Sequence, residues 1–289
     1  MAYLDTTTGA NFIPEMWAEP IYKFFMAKLK LRNSVSDYSA MVKGAGDTIH
    51  IPKIAIDGTE SKSVSTAVTF SASGTEGKVD LSINNHKYLA NIFEDMALIQ
   101  SNFELISKYT KMYGEQLART VEDSLWAELD GFQTQQDLGT DNTFAVGDLE
   151  TLLSNLYGQD QDPNGCSLVM NNQLIADFMN PSSGVASYFV RADAVGAGNN
   201  GDLSTGAVGL IYGMNVFYSR SVSSSLTDGT VVGACYPKEA CALAVQQDVR
   251  VQAQYDVEYL GTKVVADIIY GAKLLDESGH LMGVNLLNP

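Results

Sequence analysis

The chain has 289 residues, of which 45% are hydrophobic, enough to build one large buried core or two modest ones. Its 18 Lys and Arg residues are outnumbered by 34 Asp and Glu residues, which gives a formal net charge of −16. Such an acidic surface repels phosphate groups and excludes tight nucleic-acid binding through a basic face.

The first part of the chain changes from a polar arm to β structure. The opening segment is polar and contains glycine, and residues 14–31 predict a helix that is bent at Pro20. Residues 47–93 alternate like strands, and Pro52 favours an edge strand or a free ribbon. The polar segment 57–66 predicts the tip of a projecting hairpin. This hairpin has too few large apolar residues for its own core, so we expect a neighbour to cover it.

One long amphipathic helix is predicted over residues 92–131. Apolar residues recur there at gaps of three or four, which is typical of a helix with one buried stripe. The stripe consists of Ile92, Met96, Ile99, Phe103, Ile106, Tyr109, Tyr113, Leu117, Val121, Leu125 and Leu129. At about 1.5 Å per residue the helix would reach roughly 55 Å. Such a length favours a spanning scaffold, with the core helix of an ordinary enzyme as the alternative.

The second half of the chain predicts a mixture of helices and strands. Residues 146–158 form a helix, and a second helix begins at Asn171 or Asn172 as its cap, with a short buried strand before it. Residues 182–209 are rich in glycine and serine and predict a surface loop. After further short strands, the strict alternation over residues 249–259 predicts a long, half-exposed strand with a partner.

No motif for catalysis, a cofactor or a metal ion is found in the sequence. Gly196, Gly198 and Gly201 match the spacing of a dinucleotide fingerprint, but no helix follows them and no βαβ unit encloses them. The histidines lie far apart and lack partners at metal-ligand spacing: His50, His86 and His280. Neither a nucleophile elbow nor a phosphate-binding loop occurs. We therefore expect no enzyme activity, no cofactor and no metal.

The cysteines and the hydropathy pattern indicate the compartment. Three cysteines are an odd and sparse set that builds no disulfide framework, so we expect a reducing compartment and small buried side chains at Cys166, Cys235 and Cys241. We expect neither a signal peptide nor a membrane span, because the sequence shows neither a charged segment followed by an apolar run nor a stretch of 18 or more apolar residues.

Five segments, in their order along the chain, carry a resemblance to a known family. They are FIPEMWAEPIYKFFMAKLKLRN, GDTIHIPKI, TEGKVDLSINNHKYLANIFEDMALIQSNFELISKYTKMYGEQLA, LSTGAVGLIYGMNVFYSRSV and YDVEYLGTKVVADIIYGAKLL. Together they resemble the major capsid proteins of tailed double-stranded DNA bacteriophages, whose fold is shared with encapsulins and herpesvirus shells. The resemblance covers nearly the whole chain and lies in the number and order of the segments.

The resemblance implies an α+β fold with a fixed order of parts. These are an N-terminal arm and first helix (1–45), an extended β-hairpin loop (46–92), a spine helix with the peripheral domain (93–144), an axial domain (145–245) and C-terminal strands that complete the peripheral domain (246–289). It also implies a structural subunit that assembles into pentamers and hexamers of an icosahedral shell around packaged double-stranded DNA.

The resemblance further implies partners and a location. The partners are other copies of the chain, a scaffolding protein, a portal protein and, in some members, a decoration protein; DNA is enclosed without sequence-specific binding, and no membrane is involved. We expect the scaffolding protein to be separate, because no Lys/Glu-rich coiled-coil prefix is seen. The chain is expected in the virion, after synthesis in the cytoplasm of a bacterial host.

The extended loop is the expected site of contact between subunits. The candidate contact residues are Ile49, Ile51, Ile54, Asp57, Glu60 and Lys62. Some family members link a loop lysine covalently to an asparagine of a neighbour. Residues of these types are present at Lys53, Lys62, Lys78 and Asn285, but presence alone is no evidence, and we expect no crosslink.

Three alternatives stay open at this point. An encapsulin-like compartment would have the same fold and a protein cargo. A cytosolic hydrolase with no recognisable motif would be a small particle in gel filtration. A non-shell virion or adhesive protein would form fibres or small rings.

Overall fold

The structure is a computed structural model that describes residues 30–43, 46–54, 61–67, 76–95, 104–138, 144–179, 185, 189–191, 207–222, 229–275 and 281–288. Within these ranges the helices are α1 (Ser39–Val42), α2 (Glu104–Leu129), α3 (Val146–Gly158) and α4 (Asn172–Met179). The strands are β1 (Ser36–Asp37), β2 (Thr48–Ile54), β3 (Glu76–Ser82), β4 (Asn85–Glu94), β5 (Thr134–Asp137), β6 (Ser167–Met170), β7 (Phe189–Arg191), β8 (Ala207–Ile211), β9 (Met214–Tyr218), β10 (Val231–Tyr236), β11 (Cys241–Asp256), β12 (Gly261–Leu274) and β13 (Val284–Leu287). This mixture confirms the α+β class. The predicted helix over 14–31 and most of the loop over 182–209 lie outside the described residues.

A long hairpin forms the centre of a four-stranded sheet, in the order β1, β11, β12, β4. β11 and β12 pair antiparallel from Cys241 opposite Leu274 to Asp256 opposite Gly261. β4 adds antiparallel to β12, and the short β1 adds parallel to β11. The predicted long strand with a partner is confirmed, although it begins eight residues earlier than the alternating pattern suggests.

The helix α2 packs against this sheet. The second half of the predicted stripe is buried: Tyr113, Leu117, Val121, Leu125 and Leu129. These residues share a core with Val264, Ile268 and Tyr270 of β12. Burial of one leucine side chain stabilises a fold by about 1.5–3 kcal/mol, so this stripe holds the helix on the sheet. Of the stripe positions before Tyr109, only Ile92 has a described side chain.

The predicted start of the long helix at residue 92 is wrong. Ile92 belongs to β4 and lies opposite Lys263 of β12. It is 46% exposed, whereas the neighbouring Phe93 faces the core and meets Tyr109 of α2 edge-on, with ring centroids 5.1 Å apart. Pairing with β12 satisfies the backbone groups of β4, and this long-range effect overrides the local helical spacing. The 26 residues of α2 correspond to about 39 Å.

A mixed seven-stranded sheet builds a second core, in the order β5, β13, β10, β6, β9, β8, β7. Leucines of α3 pack on it, and Phe144 meets Phe178 of α4 edge-on at 5.0 Å. Asn171 caps α4, because its Oδ1 accepts hydrogen bonds from the amides of Gln173 and Leu174 at 3.1 and 2.9 Å. Both helices and the buried strand between them, β6, confirm their predictions.

Two strands from distant parts of the chain join this second sheet. β13 lies between β10 and β5 and pairs parallel with β5, Val284 opposite Thr134. The expected boundaries place these strands in residues 246–289 and 93–144, with the four-stranded sheet, whereas hydrogen bonding joins them to the sheet of residues 145–245. Domain boundaries that follow the order of the sequence cannot place β5 and β13 in one sheet, because these strands lie about 150 residues apart in the chain.

Candidate assembly interface

β2 and β3 form a two-stranded ribbon that pairs with no third strand among the described residues. The strands run antiparallel from Thr48 opposite Ser82 to Ile54 opposite Glu76. Pro52 has no backbone N–H, and the ribbon accommodates it because each strand keeps one unpaired edge. The prediction of an edge or free ribbon is confirmed.

The base of the ribbon is anchored on the four-stranded sheet. Val79 and Leu81 are buried and share a small core with two alanines of β11. Ile49 and Ile51 pack partly against the same core. The chain therefore covers the base of the ribbon itself, and a covering neighbour stays a prediction for its outer part.

The structure places the six predicted contact residues in different environments. Two are partly buried against the chain's own core, Ile49 and Ile51. One is exposed in the described segment 61–67, Lys62. The others lie outside the described residues or have undescribed side chains: Ile54, Asp57 and Glu60. Contact of these residues with a neighbouring subunit stays a prediction.

Two residues considered for a covalent crosslink have partners within the chain. Lys78 Nζ lies 3.3 Å from Asp80 Oδ2 on the exposed face of the ribbon, and His50 Nδ1 lies 2.5 Å from Asp80 Oδ1. The hydrogen bond with His50, followed by that with Lys78, lowers the pKa of the Asp80 carboxyl. Asn285 is fully buried, and its Nδ2 donates to the carbonyl oxygen of Asp130 at 2.7 Å. The structure thus gives this asparagine a role inside the chain.

The far end of the β11–β12 hairpin presents apolar side chains to solvent. The exposed residues are Tyr255, Val257, Tyr259 and Leu260. The turn is fixed, because the Tyr255 hydroxyl donates to Asp95 Oδ2 at 2.9 Å and the Asp95 amide donates to the Leu260 carbonyl at 3.0 Å. This surface was not predicted from the sequence. The signal was present in YDVEYL, where apolar residues occupy a turn, a position that polar residues usually fill.

The described part of the chain offers no metal centre. In these ranges no three His, Cys, Asp or Glu side chains lie close enough to hold a metal ion. His50 and His86 are each bound to a single carboxylate, that of Asp80 and that of Asp267. The glycine triplet at residues 196–201 lies outside the described residues. Among the helices that are described, none has the length and apolar character needed to cross a membrane.

Comparisons with solved structures identify the fold. No protein-family model and no curated protein matches the chain. A chain of Mycobacterium phage Che8 matches with a TM-score of 0.69 at 18% identity, over 89% of this chain and 90% of that one. The capsid of Ralstonia phage GP4 matches with a TM-score of 0.67 at 13% identity, over 88% and 86% of the two chains. The chain has the tailed-phage capsid fold.

The capsid fold accounts for nearly the whole chain. A virus-like particle from Pyrococcus furiosus matches with a TM-score of 0.61 at 11% identity, over 94% of this chain and 98% of that one. The ribbon, the long helix and both larger sheets are therefore parts of one capsid fold. Among the described residues, segment 61–67 at the end of the ribbon and the hairpin turn are two of the surfaces that the chain leaves exposed.

Proposed function

We propose that the chain is a structural subunit that assembles into the pentamers and hexamers of an icosahedral shell around packaged double-stranded DNA. The observation that carries the proposal is the extent of the match. Capsid-fold structures align over 88 and 89% of this chain, and the aligned region fills 86 and 90% of theirs.

The exposed surfaces support assembly. An anchored ribbon with an outer part open to solvent and a fixed apolar turn are two separate contact surfaces on one subunit. Each contact is weak by itself, but a subunit held on several sides gains from multivalency. The net charge of −16 also suits a container, because an acidic wall does not immobilise DNA.

The proposal assigns a role to each part of the chain. Residues 46–92 act as the extended loop, and residues 145–245 act as the axial domain together with β5 and β13, which pair into its sheet. The rest of residues 93–144 and 246–289 acts as the spine helix and peripheral domain. The partners are a separate scaffolding protein, a portal protein and, where one exists, a decoration protein. The chain acts in the virion and is made in a bacterial cytoplasm.

Size is the decisive measurement for this proposal. Purified protein is examined by gel filtration and negative-stain microscopy, and we expect megadalton particles of variable diameter when no scaffolding protein is present. A uniform species near the 31.2 kDa of one chain at all concentrations, even with scaffolding protein added, contradicts the proposal. Efficient assembly of shells of a single size from the chain alone contradicts the separate scaffolding protein.

An encapsulin-like compartment is the second candidate, supported by the match to the Pyrococcus furiosus virus-like particle. The contents of particles purified from cells distinguish the two functions. Nuclease-protected double-stranded DNA supports the virion shell, whereas a defined protein cargo supports the compartment.

A further inference from the structure

A cleft beside α2 is lined by residues from three separate parts of the chain. It has a volume of about 370 Å³, within the range of about 300–1,000 Å³ that is typical of small-molecule sites. Lys30 comes from the segment before β1, Arg119 from α2, and Arg220 from the residues after β9. Because α2 packs on the four-stranded sheet and β9 belongs to the seven-stranded sheet, the cleft lies between elements of the two larger sheets.

The two carboxylates that line the cleft already have partners. Glu122 is 8% exposed, and its Oε1 accepts hydrogen bonds from the backbone amides of Lys30 and Leu31 at 2.6 and 3.3 Å. Burial raises the pKa of the Glu122 carboxyl, and the positive charge of Lys30 opposes this shift. Glu115 Oε1 lies 4.0 Å from Lys111 Nζ, one helical turn away. Each acid of the cleft therefore has a lysine that offsets its charge.

The two arginines of the cleft have no such partner in the described part of the chain. Arg119 and Arg220 are both exposed, and neither forms an ion pair with a described residue, although Arg119 lies one helical turn from Glu115. The chain has 34 acidic residues and only 18 basic ones, so arginines without a carboxylate run against its composition. The described residues thus leave two positive charges uncompensated at one cleft.

A phosphate group matches these donors better than a carboxylate does. It carries about −1.5 to −2 charges at pH 7 and three acceptor oxygens, whereas a carboxylate has one charge and two oxygens. Arginine binds phosphate through two parallel N–H···O bonds, each roughly twice as strong as a bond between neutral groups. Gln116 lines the same cleft and adds an amide donor. Lys30 Nζ lies 5.4 Å from the centroid of the Tyr218 ring, so a third positive charge is held at this cleft.

We propose that this cleft binds a small polyphosphate anion, a chain of two or three linked phosphate groups. The anion joins Arg119 of α2 to Arg220 at the end of β9 and so connects the helix with the seven-stranded sheet. A site with the volume of a small-molecule pocket favours linked phosphate groups over a single ion. Because the cleft exists only in the folded chain, binding stabilises the fold. The site is independent of the proposed shell function, since one chain contains all of it.

The phosphate groups of double-stranded DNA are the other source of the same chemistry. A duplex carries one negative charge about every 1.7 Å, and a chain with a net charge of −16 repels all of these charges outside the cleft. A short anion brings only as many charges as the cleft can neutralise. The free anion is therefore the favoured occupant.

The first test measures binding of tripolyphosphate to the unassembled full-length protein. Isothermal titration calorimetry is done at constant ionic strength, in buffer without phosphate or divalent cations. We expect saturable binding of one anion per chain, weakened at least tenfold by Arg119→Gln with Arg220→Gln. Lys43→Gln with Lys87→Gln removes two exposed lysines outside the cleft and is the matched control for charge. This control should stay within about twofold of wild type.

Two results of this titration overturn the proposal. One is the absence of saturable binding up to about 10 mM tripolyphosphate. The other is an equal loss of binding in the arginine variant and in the lysine control, which would mean that the anion senses only the overall charge of the chain.

A second variant separates the charge of the arginines from their planar donor groups. Arg119→Lys with Arg220→Lys keeps both charges and loses both forks, so we expect binding about threefold weaker than that of wild type. The replaced side chains are exposed, so the urea midpoints without ligand should match that of wild type. Should the glutamine variant fail to fold, unchanged binding by the Arg→Lys variant overturns the proposal.

Two other probes identify the class of ligand. A DNA duplex of about 12 base pairs and the peptide tetraglutamate are titrated under the same conditions, and we expect each to bind at least tenfold more weakly than tripolyphosphate. Tetraglutamate that binds as tightly as tripolyphosphate overturns the assignment to phosphate. A duplex that binds more tightly, and loses binding with Arg119→Gln and Arg220→Gln, shows that DNA is the occupant and overturns the assignment to a small anion.

Discussion

The Asp267 carboxylate of β12 accepts two hydrogen bonds from the Arg250 guanidinium of β11, at 3.0 Å from Nε and 2.8 Å from Nη2. His86 Nε2 of β4 lies 3.0 Å from the same carboxylate. The Asp267 side chain is only 5% exposed, so a nearly buried acid connects three strands of the four-stranded sheet. One of these strands, β4, follows directly after the ribbon.

Asp267→Asn is expected to lower the free energy of unfolding by about 2 kcal/mol, because a neutral amide cannot accept both guanidinium hydrogen bonds and leaves the remaining polar atoms poorly paired. Urea unfolding followed by circular dichroism measures the loss. Asp248→Asn, an exposed carboxylate on the same hairpin, is the matched control and should change the stability by less than about 0.5 kcal/mol. Equal stability of the two variants contradicts the role of Asp267.

The same carboxyl predicts a dependence on pH. Burial raises the pKa of Asp267, but the hydrogen bonds and positive charges of Arg250 and His86 outweigh it and hold the pKa below its ordinary value. A carboxyl with a lower pKa in the folded chain stabilises the fold above the pKa of the unfolded chain, and this contribution is lost as the pH falls through the folded pKa. The difference in unfolding free energy between wild type and Asp267→Asn should therefore be constant from about pH 7 to pH 5 and shrink below about pH 4. A difference that persists undiminished at about pH 2 contradicts the assignment.

Gly271 of β12 leaves room for the end of the ribbon. A Cβ atom at this position would clash with the Ser82 carbonyl oxygen and would lie 3.1 Å from both the Ser82 carbonyl carbon and Ile83 Cα, backbone atoms that cannot rotate away. We expect Gly271→Ala to destabilise the chain by about 1–3 kcal/mol in thermal or urea unfolding. Gly147→Ala in α3 is the matched control, since nothing lies within 4 Å of its Cβ, and it should be neutral or stabilising by up to about 1 kcal/mol. A tolerated Gly271→Ala means that the ribbon is not packed against β12 as described.

The cysteines should behave as buried, unreactive side chains. All three are buried, and burial raises the pKa of Cys241 to about 12, so its thiolate is scarce at neutral pH. We expect native protein at about pH 8 to react with a thiol reagent such as dithionitrobenzoate only slowly, and protein unfolded in guanidinium chloride to show all three thiols at once. A thiol that reacts within seconds in the native protein contradicts the burial.

Local sequence patterns were sufficient to predict those helices and strands whose formation depends on one segment of the chain. The stripe from Leu117 to Leu125 has helical spacing, and Asn171 stands where an N-cap is required. The start of α2 could not be predicted in this way, because Ile92 pairs with Lys263, which lies 171 residues away. The same reason applies to β13, whose place in the seven-stranded sheet depends on partners that the sequence does not mark.

In the candidate site, too, local features could be predicted from the sequence and long-range contacts could not. Pro52 indicates a ribbon without a third strand, and the polar turn segment indicates its tip. The anchoring of the ribbon base on β11 could not be foreseen, because it brings Leu81 into a core with residues more than 150 positions later. A cleft beside α2 was equally unpredictable, since Lys30, Arg119 and Arg220, which line it, come together only in the folded chain.

Substitutions at the anchored base and at the exposed end of the ribbon are expected to differ in their effect on the stability of the single chain. Ile51→Asp puts a charge beside the core of Val79 and Leu81, so it should lower the stability of the single chain by about 2 kcal/mol as well as the yield of shells. Val64→Asp changes a side chain that is 96% exposed, so the stability should stay within about 0.5 kcal/mol of wild type.

If the ribbon end takes part in assembly, Val64→Asp should lower the yield of shells even though it leaves the stability unchanged. The reason is that the added charge has to be desolvated when a neighbour covers it. The yield is measured as the fraction of protein in rapidly sedimenting particles, and the stability by urea unfolding of the unassembled chain. Met41→Asp, at a position that is 69% exposed on α1, is the matched control for a new carboxylate on the surface. Wild-type yield with Val64→Asp would show that neighbours leave the ribbon end uncovered. A loss equal to that of Met41→Asp would show that added negative charge alone, at any exposed position, opposes assembly of a chain that already carries −16.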